Sequence, residues 1–137
     1  MAANYVLDDQ IGYVLRRVTQ RHLALFSEAI PQVTTTQFAV LARLAEQGPQ
    51  SQNHLGRAVA MDAATIKGVV DRLVREGLVE TYDNPEDRRR LTVALTSAGR
   101  ALFQETVETA LDVSKQTLAA LNPVESEQLM ALLARLT

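Results

Sequence analysis

The stretch DNPEDRRRLTVALT, residues 83–96, sets the reading of everything around it. Turn-forming Asp83, Asn84 and Pro85 precede three consecutive arginines, Arg88, Arg89 and Arg90, and the chain then alternates apolar and polar from Leu91 to Leu95. Just upstream, LVETY (78–82) supplies β-branched and aromatic residues of its own. Two such runs around a polar bend predict a β-hairpin, with the arginines at the bend and the base of its return strand. Taken alone, a charged hairpin is often a solvated face on which Glu86 and Asp87 pair with the arginines. What precedes the hairpin separates the two readings.

The preceding segment is DAATIKGVVDRLVREG, residues 62–77. Asp62 is placed to cap a helix with Thr65 at its third position, Ile66, Val69, Val70 and Leu73 share one side, and Gly77 is a natural left-handed stop. Before it, Ser51 is placed to cap a shorter helix through Arg57 with Leu55 and Val59 facing inward, and only a tight turn at Ala60 and Met61 lies between the two. This predicts a helix-turn-helix. On a helical wheel Ile66, Val70 and Leu73 fall at the core, while Ala64, Gly68, Asp71 and Arg75 point the other way. The small residues Ala64 and Gly68 would let the backbone sit deep in a groove, with Thr65, Lys67 and Arg72 flanking it where base edges or phosphates are reached; Asp71 would need a basic neighbour. By itself this helix reads equally well as an amphipathic helix with a solvated outer face. A two-stranded wing directly after it favours the first reading, because arginine on a wing suits the negative potential of a neighbouring minor groove.

Further out the pattern is helical. Ile11, Leu15, Val18, Leu25, Phe26 and Ala29 recur at steps of three and four over residues 8–30, ended by Pro31. Thr34 with Gln37 three residues later predicts a capping box on a helix carrying Phe38, Leu41 and Leu44, stopped at Gly48 and Pro49. Thr96 caps a long helix with Leu102, Phe103, Val107, Ala110, Leu111 and Leu118. Asn122, Pro123 and Glu125 open a last helix with Leu129, Leu132, Leu133 and Leu136. The fold class is therefore mainly α with a small β-hairpin wing, a winged helix-turn-helix.

Composition narrows the function. The chain has 137 residues, 47% hydrophobic and 22% charged, so one folded domain is expected. The net charge of −2 argues against a protein that coats nucleic acid everywhere and leaves a local basic feature, the three arginines out of fourteen Lys and Arg, as the informative one. There is no Cys, which excludes disulfides, thiolate zinc sites and thiol redox sensing, and two histidines without close ligand spacing predict no metal. No cofactor is expected. No early apolar run is long enough for a signal peptide or a membrane span, so a cytoplasmic protein is expected.

On these residues, and most specifically on DRLVREGLVETYDNPEDRRRLTVALTSAG (71–99), the chain resembles the MarR family of winged helix-turn-helix regulators, from the helical N-terminus to the last helix. The resemblance implies a single domain over 1–137, in which 34–95 is the DNA-binding lobe and 8–30 and 96–137 are dimerisation helices. It implies a cytoplasmic homodimeric repressor that binds an inverted-repeat, palindromic operator through two recognition helices (Ala64, Thr65, Lys67, Gly68, Arg72, Arg75) and two wings. Carried onto this wing, Asp87 would organise it, Arg89 would enter the minor groove, and Arg88 or Arg90 would support it. The sequence departs from the family at Gly68, where members often carry a long polar or basic side chain, and this leaves open the base-reading contacts inferred for Thr65 and Lys67.

The same resemblance implies release by a small organic effector, which works only if the ligand prefers the conformation that does not bind DNA. The segment SQNHLGRAVAMDAATIKGVVDRL (51–73) is similar to regulators of aromatic acid catabolism, acting on hydroxycinnamates, benzoates or nicotinates. His22 lies on the apolar stripe between Val18 and Phe26, with Tyr13, Arg16 and Arg17 near it, a set that suits an aromatic acid; Gln52, Asn53 and His54 are further candidates. A lone helical histidine is more often a satisfied core or interface residue, and exposed arginines more often meet solvent or a partner's carboxylate. Two rival functions remain to be weighed. An enzyme would need a nucleophile elbow, a glycine-rich phosphate loop or paired metal ligands, none of which is present. A winged-helix module that binds proteins without specific DNA binding has the same fold and would not need its wing arginines.

Overall fold

The computed structural model describes residues 3–137, with only the backbone of Arg88. The helices are α1 (Ile11–Ala29), α2 (Thr35–Gln47), α3 (Gln52–Ala58), α4 (Ala63–Arg75), α5 (Ser97–Thr117) and α6 (Pro123–Ala134); the strands are β1 (Gln50–Ser51), β2 (Val79–Asn84) and β3 (Asp87–Leu95). A short 3-10 turn at Leu7–Asp9 precedes α1. The chain divides into two compact units, one of residues 1–29 and 109–137 and the other of residues 30–108.

In the unit of residues 30–108, side-chain caps fix where helices begin. Thr34 and Gln37 exchange hydrogen bonds with each other's backbone N–H, closing the capping box on α2. Ser51 Oγ accepts from the His54 N–H at the start of α3, and an Asp62 oxygen accepts from the Thr65 N–H at 2.7 Å at the start of α4. Those bonds, first of all the one from the Thr65 backbone and then the one from its hydroxyl, hold the Asp62 carboxyl below the usual carboxylate range. α4 ends in a Schellman turn, with Leu78 N–H bonded to Leu73 O, Gly77 N–H bonded to Val74 O, and Gly77 at φ +75°.

The core of this unit joins Val40, Leu41 and Leu44 of α2, Leu55 of α3, Ile66, Val70 and Leu73 of α4, and Val79 and Val93 of the sheet, all essentially inaccessible. Each such side chain contributes about 1.5–3 kcal/mol by leaving water. Val59, expected to face inward, is instead the half-buried C-cap of α3, its backbone leaving the helical conformation just after Ala58. Phe38 is likewise half-buried, its ring 5.5 Å from that of Phe103.

The α3–α4 turn repeats the Schellman pattern with a residue less suited to it. Met61 N–H bonds to Gly56 O and Ala60 N–H to Arg57 O, and Ala60 stands at φ 57°. A Cβ in that region costs about 1–2 kcal/mol, part of which glycine's greater freedom in the unfolded chain offsets. Ala60→Gly is expected to raise stability by up to about 1 kcal/mol, seen as a higher urea midpoint at unchanged slope. A lower midpoint would show that the turn gains nothing from losing the Cβ.

The sheet has three strands in the order β1-β3-β2, all antiparallel. β1 was not expected: at two residues, Gln50 and Ser51 paired with Val93 and Thr92, it is too short to show a period of two. β2 and β3 pair regularly from Val79↔Leu95 to Asp83↔Leu91, and Asn84 then pairs with Asp87. Their junction with α5 is tight. Thr96 donates its N–H to Leu78 O and its hydroxyl to Gly77 O, accepts from the Gly99 N–H, and packs the buried Gly99 against Leu78.

In the unit of residues 1–29 and 109–137, the guanidinium of Arg21 donates to the carbonyls of Gln116 and Thr117, both at 2.9 Å, so a side chain of α1 caps the C-terminal end of α5. Asn122 and Glu125 close a capping box on α6, with Pro123 at its first position. Both α1 and α6 leave large apolar side chains open: Ile11 is 62% exposed and Leu132 55%. Of the large apolar side chains left exposed among the described residues, all but Val74 and Tyr82 lie in this unit.

Candidate nucleic-acid interface

α4 buries Ile66, Val70 and Leu73 and turns Ala64, Thr65, Lys67, Gly68, Asp71, Arg72 and Arg75 to solvent. The basic neighbour that Asp71 required is Lys67, whose Nζ lies 2.8 Å from a carboxylate oxygen one turn on, with both groups exposed. Such a pair contributes only a few tenths of a kcal/mol, about 0.3–0.5, so Lys67 is cheaply released to another anion. Around Gly68 there is open space: a Cβ there would meet no atom within 4 Å. Nothing inside the chain requires glycine at that position.

The wing differs in detail from expectation. The turn itself is Pro85–Glu86, with Asn84 Oδ1 accepting the Glu86 N–H at 2.9 Å, while Asp83 and Asn84 belong to β2. The arginines therefore lie at the start of the return strand β3, as expected for its base, and not at the bend itself. Between the pairs Asp83↔Leu91 and Asn84↔Asp87 the register advances one residue on β2 and four on β3, which leaves Arg88, Arg89 and Arg90 without counterparts. The arginine run is an irregular bulge in the ladder, a device that re-aims side chains.

Asp87 ties that bulge down. One carboxylate oxygen accepts the Arg89 N–H at 3.0 Å and the other lies 3.6 Å from Arg90 Nε. Arg89 makes no ion pair among the described residues. Arg90 shares a cleft with Arg57 and His54 of α3, and the side chain of Arg88 lies outside the described residues.

The candidate effector residues divide between the units. Tyr13, Arg16, Arg17 and His22 are on α1; Gln52, Asn53 and His54 open α3. Arg17 stacks its guanidinium 5.9 Å from the Tyr13 ring centre, and Arg16 is exposed. Half-buried His22 has its Nδ1 2.8 Å from Thr117 Oγ1, and that hydroxyl donates to Val113 O at 2.9 Å. Nδ1 of His22 is thus engaged by the Thr117 hydroxyl, and Nε2 makes no hydrogen bond among the described residues. Sequence reasoning missed the bonds of Thr117 to His22 and of Arg21 to the Thr117 carbonyl, which span 95 and 96 residues and leave no local trace. Gln52 Oε1 is buried without a hydrogen-bond partner among the described residues. No group of three or more His, Asp or Glu among the described residues is placed to hold a metal ion, and no helix among them is long and apolar enough to cross a membrane.

Comparison with known proteins agrees with this architecture. Residues 33–91 match the MarR family. The chain is 38% identical over 134 residues to the HTH-type transcriptional repressor NicR of Pseudomonas putida, covering 96% of this chain and 85% of that one. A crystal structure of a probable transcriptional regulator from Pseudomonas aeruginosa superposes with a TM-score of 0.93 at 51% identity, covering 96% of this chain and all of the other. Bordetella bronchiseptica BpsR, whose DNA binding is regulated by 6-hydroxynicotinic acid, superposes with a TM-score of 0.92 at 39% identity, covering 98% of this chain and 97% of its own. With the helix-turn-helix, the wing and these relatives in hand, the chain is a member of the MarR family of winged helix-turn-helix transcriptional regulators.

Proposed function

We propose that this protein is a homodimeric repressor that reads an inverted-repeat operator with α4 in the major groove and Arg89 in the adjacent minor groove, and that a small aromatic carboxylate releases it. One observation carries the reading: α4 faces solvent with a bare stretch of backbone at Ala64 and Gly68, flanked by Thr65, Lys67, Arg72 and Arg75, and Gly68 serves no packing need of the chain. Glycine within a helix costs about 1 kcal/mol relative to alanine, so a partner outside the chain is a reason to have it there. The exposed apolar side chains of α1 and α6 support a second copy as the cover for that unit.

The effector class follows the relatives. NicR and BpsR are similar over nearly the whole chain, and the acid regulating BpsR is a hydroxylated aromatic carboxylate. In one unit Tyr13, Arg16, Arg17 and His22, and in the other Gln52, Asn53 and His54, are the groups that would each answer an aromatic acid.

The test is fluorescence anisotropy against a pool of inverted-repeat duplexes and a scrambled control, over several salt concentrations, with and without 6-hydroxynicotinic acid and related acids. Selective, salt-sensitive binding relieved by one acid is expected. Equal, weak binding to every duplex would overturn the operator reading. Gly68→Ala belongs in the same assay. It is expected to stabilise the folded chain by about 1 kcal/mol while weakening the selected duplex, a combination that a merely solvated face would not give.

A further inference from the structure

On the α3 side of the wing lies a cleft of about 470 Å³ whose walls include Ser51, His54, Arg57, Asn84, Arg90 and Thr92. Arg57, Arg90 and His54 line it, and no Asp or Glu lines it among the described residues. Arg57 makes no ion pair among the described residues, and Arg90 has only the long 3.6 Å approach to Asp87. Two like charges sharing one cleft repel each other, a cost that a bound anion removes.

The neutral groups are also set as donors. Ser51 Oγ already accepts from the His54 N–H, so its own proton is free to be given. Asn84 uses its carboxamide oxygen on the Glu86 N–H, which leaves its NH2 group as the available end. Donor-bearing residues of α3, β1, β2 and β3 around one cleft suit an anion with several oxygens, and planar guanidiniums hold such oxygens well.

We propose that this cleft is a phosphate site, with Arg57 and Arg90 as its charge partners and Ser51 and Asn84 as its neutral donors. The phosphate comes either from the backbone of bound duplex or from a free phosphate-bearing solute. The first source rests on the operator-binding reading and is consistent with the habit of the leading helix in a helix-turn-helix of crossing the DNA backbone; the second source is independent of that reading.

Two arms distinguish the sources. In the first, isotope-labelled protein is titrated with inorganic phosphate at constant ionic strength, with chloride as the control, and the amide resonances of residues 51–54, 84 and 90 are followed. In the second, Arg57→Gln and Arg57→Lys are compared with the wild-type chain on the selected duplex, after thermal melts establish that the variants fold. A backbone source predicts about tenfold weaker binding for Arg57→Gln, a salt slope smaller by about one per protomer, and partial recovery in Arg57→Lys. A free source predicts saturable shifts with phosphate and an unchanged duplex affinity. If phosphate moves none of these resonances and Arg57→Gln keeps the wild-type affinity and slope, the site is overturned. A chain that selects no duplex at all would refute the operator reading by itself, and the phosphate titration would still decide the cleft.

Discussion

Replacing Gly99 with alanine is expected to destabilise the fold by on the order of 4 kcal/mol, enough to remove much of a small domain's stability. A Cβ on Gly99 would fall on the backbone carbonyl of Leu78, with the carbonyl carbon 2.9 Å away as well. No flexible side chain is available to yield there. Relief would have to come from moving the backbone, yet the Leu78 carbonyl is held by Thr96 N–H, and Thr96 Oγ1 is held by Gly77 O at 2.7 Å. The strain therefore spreads into the end of α4, the start of β2 and the first turn of α5 together. Urea unfolding monitored by circular dichroism measures it. A loss under 1 kcal/mol would mean that the junction is far softer than its hydrogen bonds imply.

Arg89→Ala should have the opposite profile, a large loss of DNA binding on an intact fold. Its side chain makes no ion pair among the described residues, and its backbone N–H, which alanine retains, is what bonds to Asp87. Loss of about 1–3 kcal/mol of binding per wing is expected, with a salt slope lower by about one per wing. Melting temperature and oligomeric mass should stay at wild-type values. Wild-type affinity in this variant would remove the wing from the recognition mechanism and favour a protein partner for the winged helix.

How much of this was legible in the sequence depends on the range over which each signal acts. Thr34 with Gln37, and Asn122 with Glu125, show their caps because both partners lie within one turn. Ile66, Val70 and Leu73 show the core face of α4 because a helix repeats itself locally. β1 was invisible, since two residues have no period, and the wing was misplaced by a few residues because strand register is set by pairing and not by propensity. The stripe of α1 was legible as a stripe, while the exposure of Ile11, Leu15 and Val18 could not be read from the pattern itself, which tells which face is apolar and not what covers it. The hydrogen bonds of Arg21 and His22 to Gln116 and Thr117 depend on tertiary approach alone.

The unpaired arginines also bear on how such a protein can change over time. Because the regular pairing ends at Asp83 and Leu91, the part of the ladder that places Val79 and Val93 in the core is complete before the bulge begins. Residues 84–90 can then lengthen, shorten or exchange charge without shifting either strand against the other. A strand in continuous register to its tip would lack that freedom, since a single inserted residue would turn its inward side chains outward. The wing tip is in effect a replaceable part on a fixed mount, so a lineage could alter its length and charge while the interior that keeps the protein folded stays as it is.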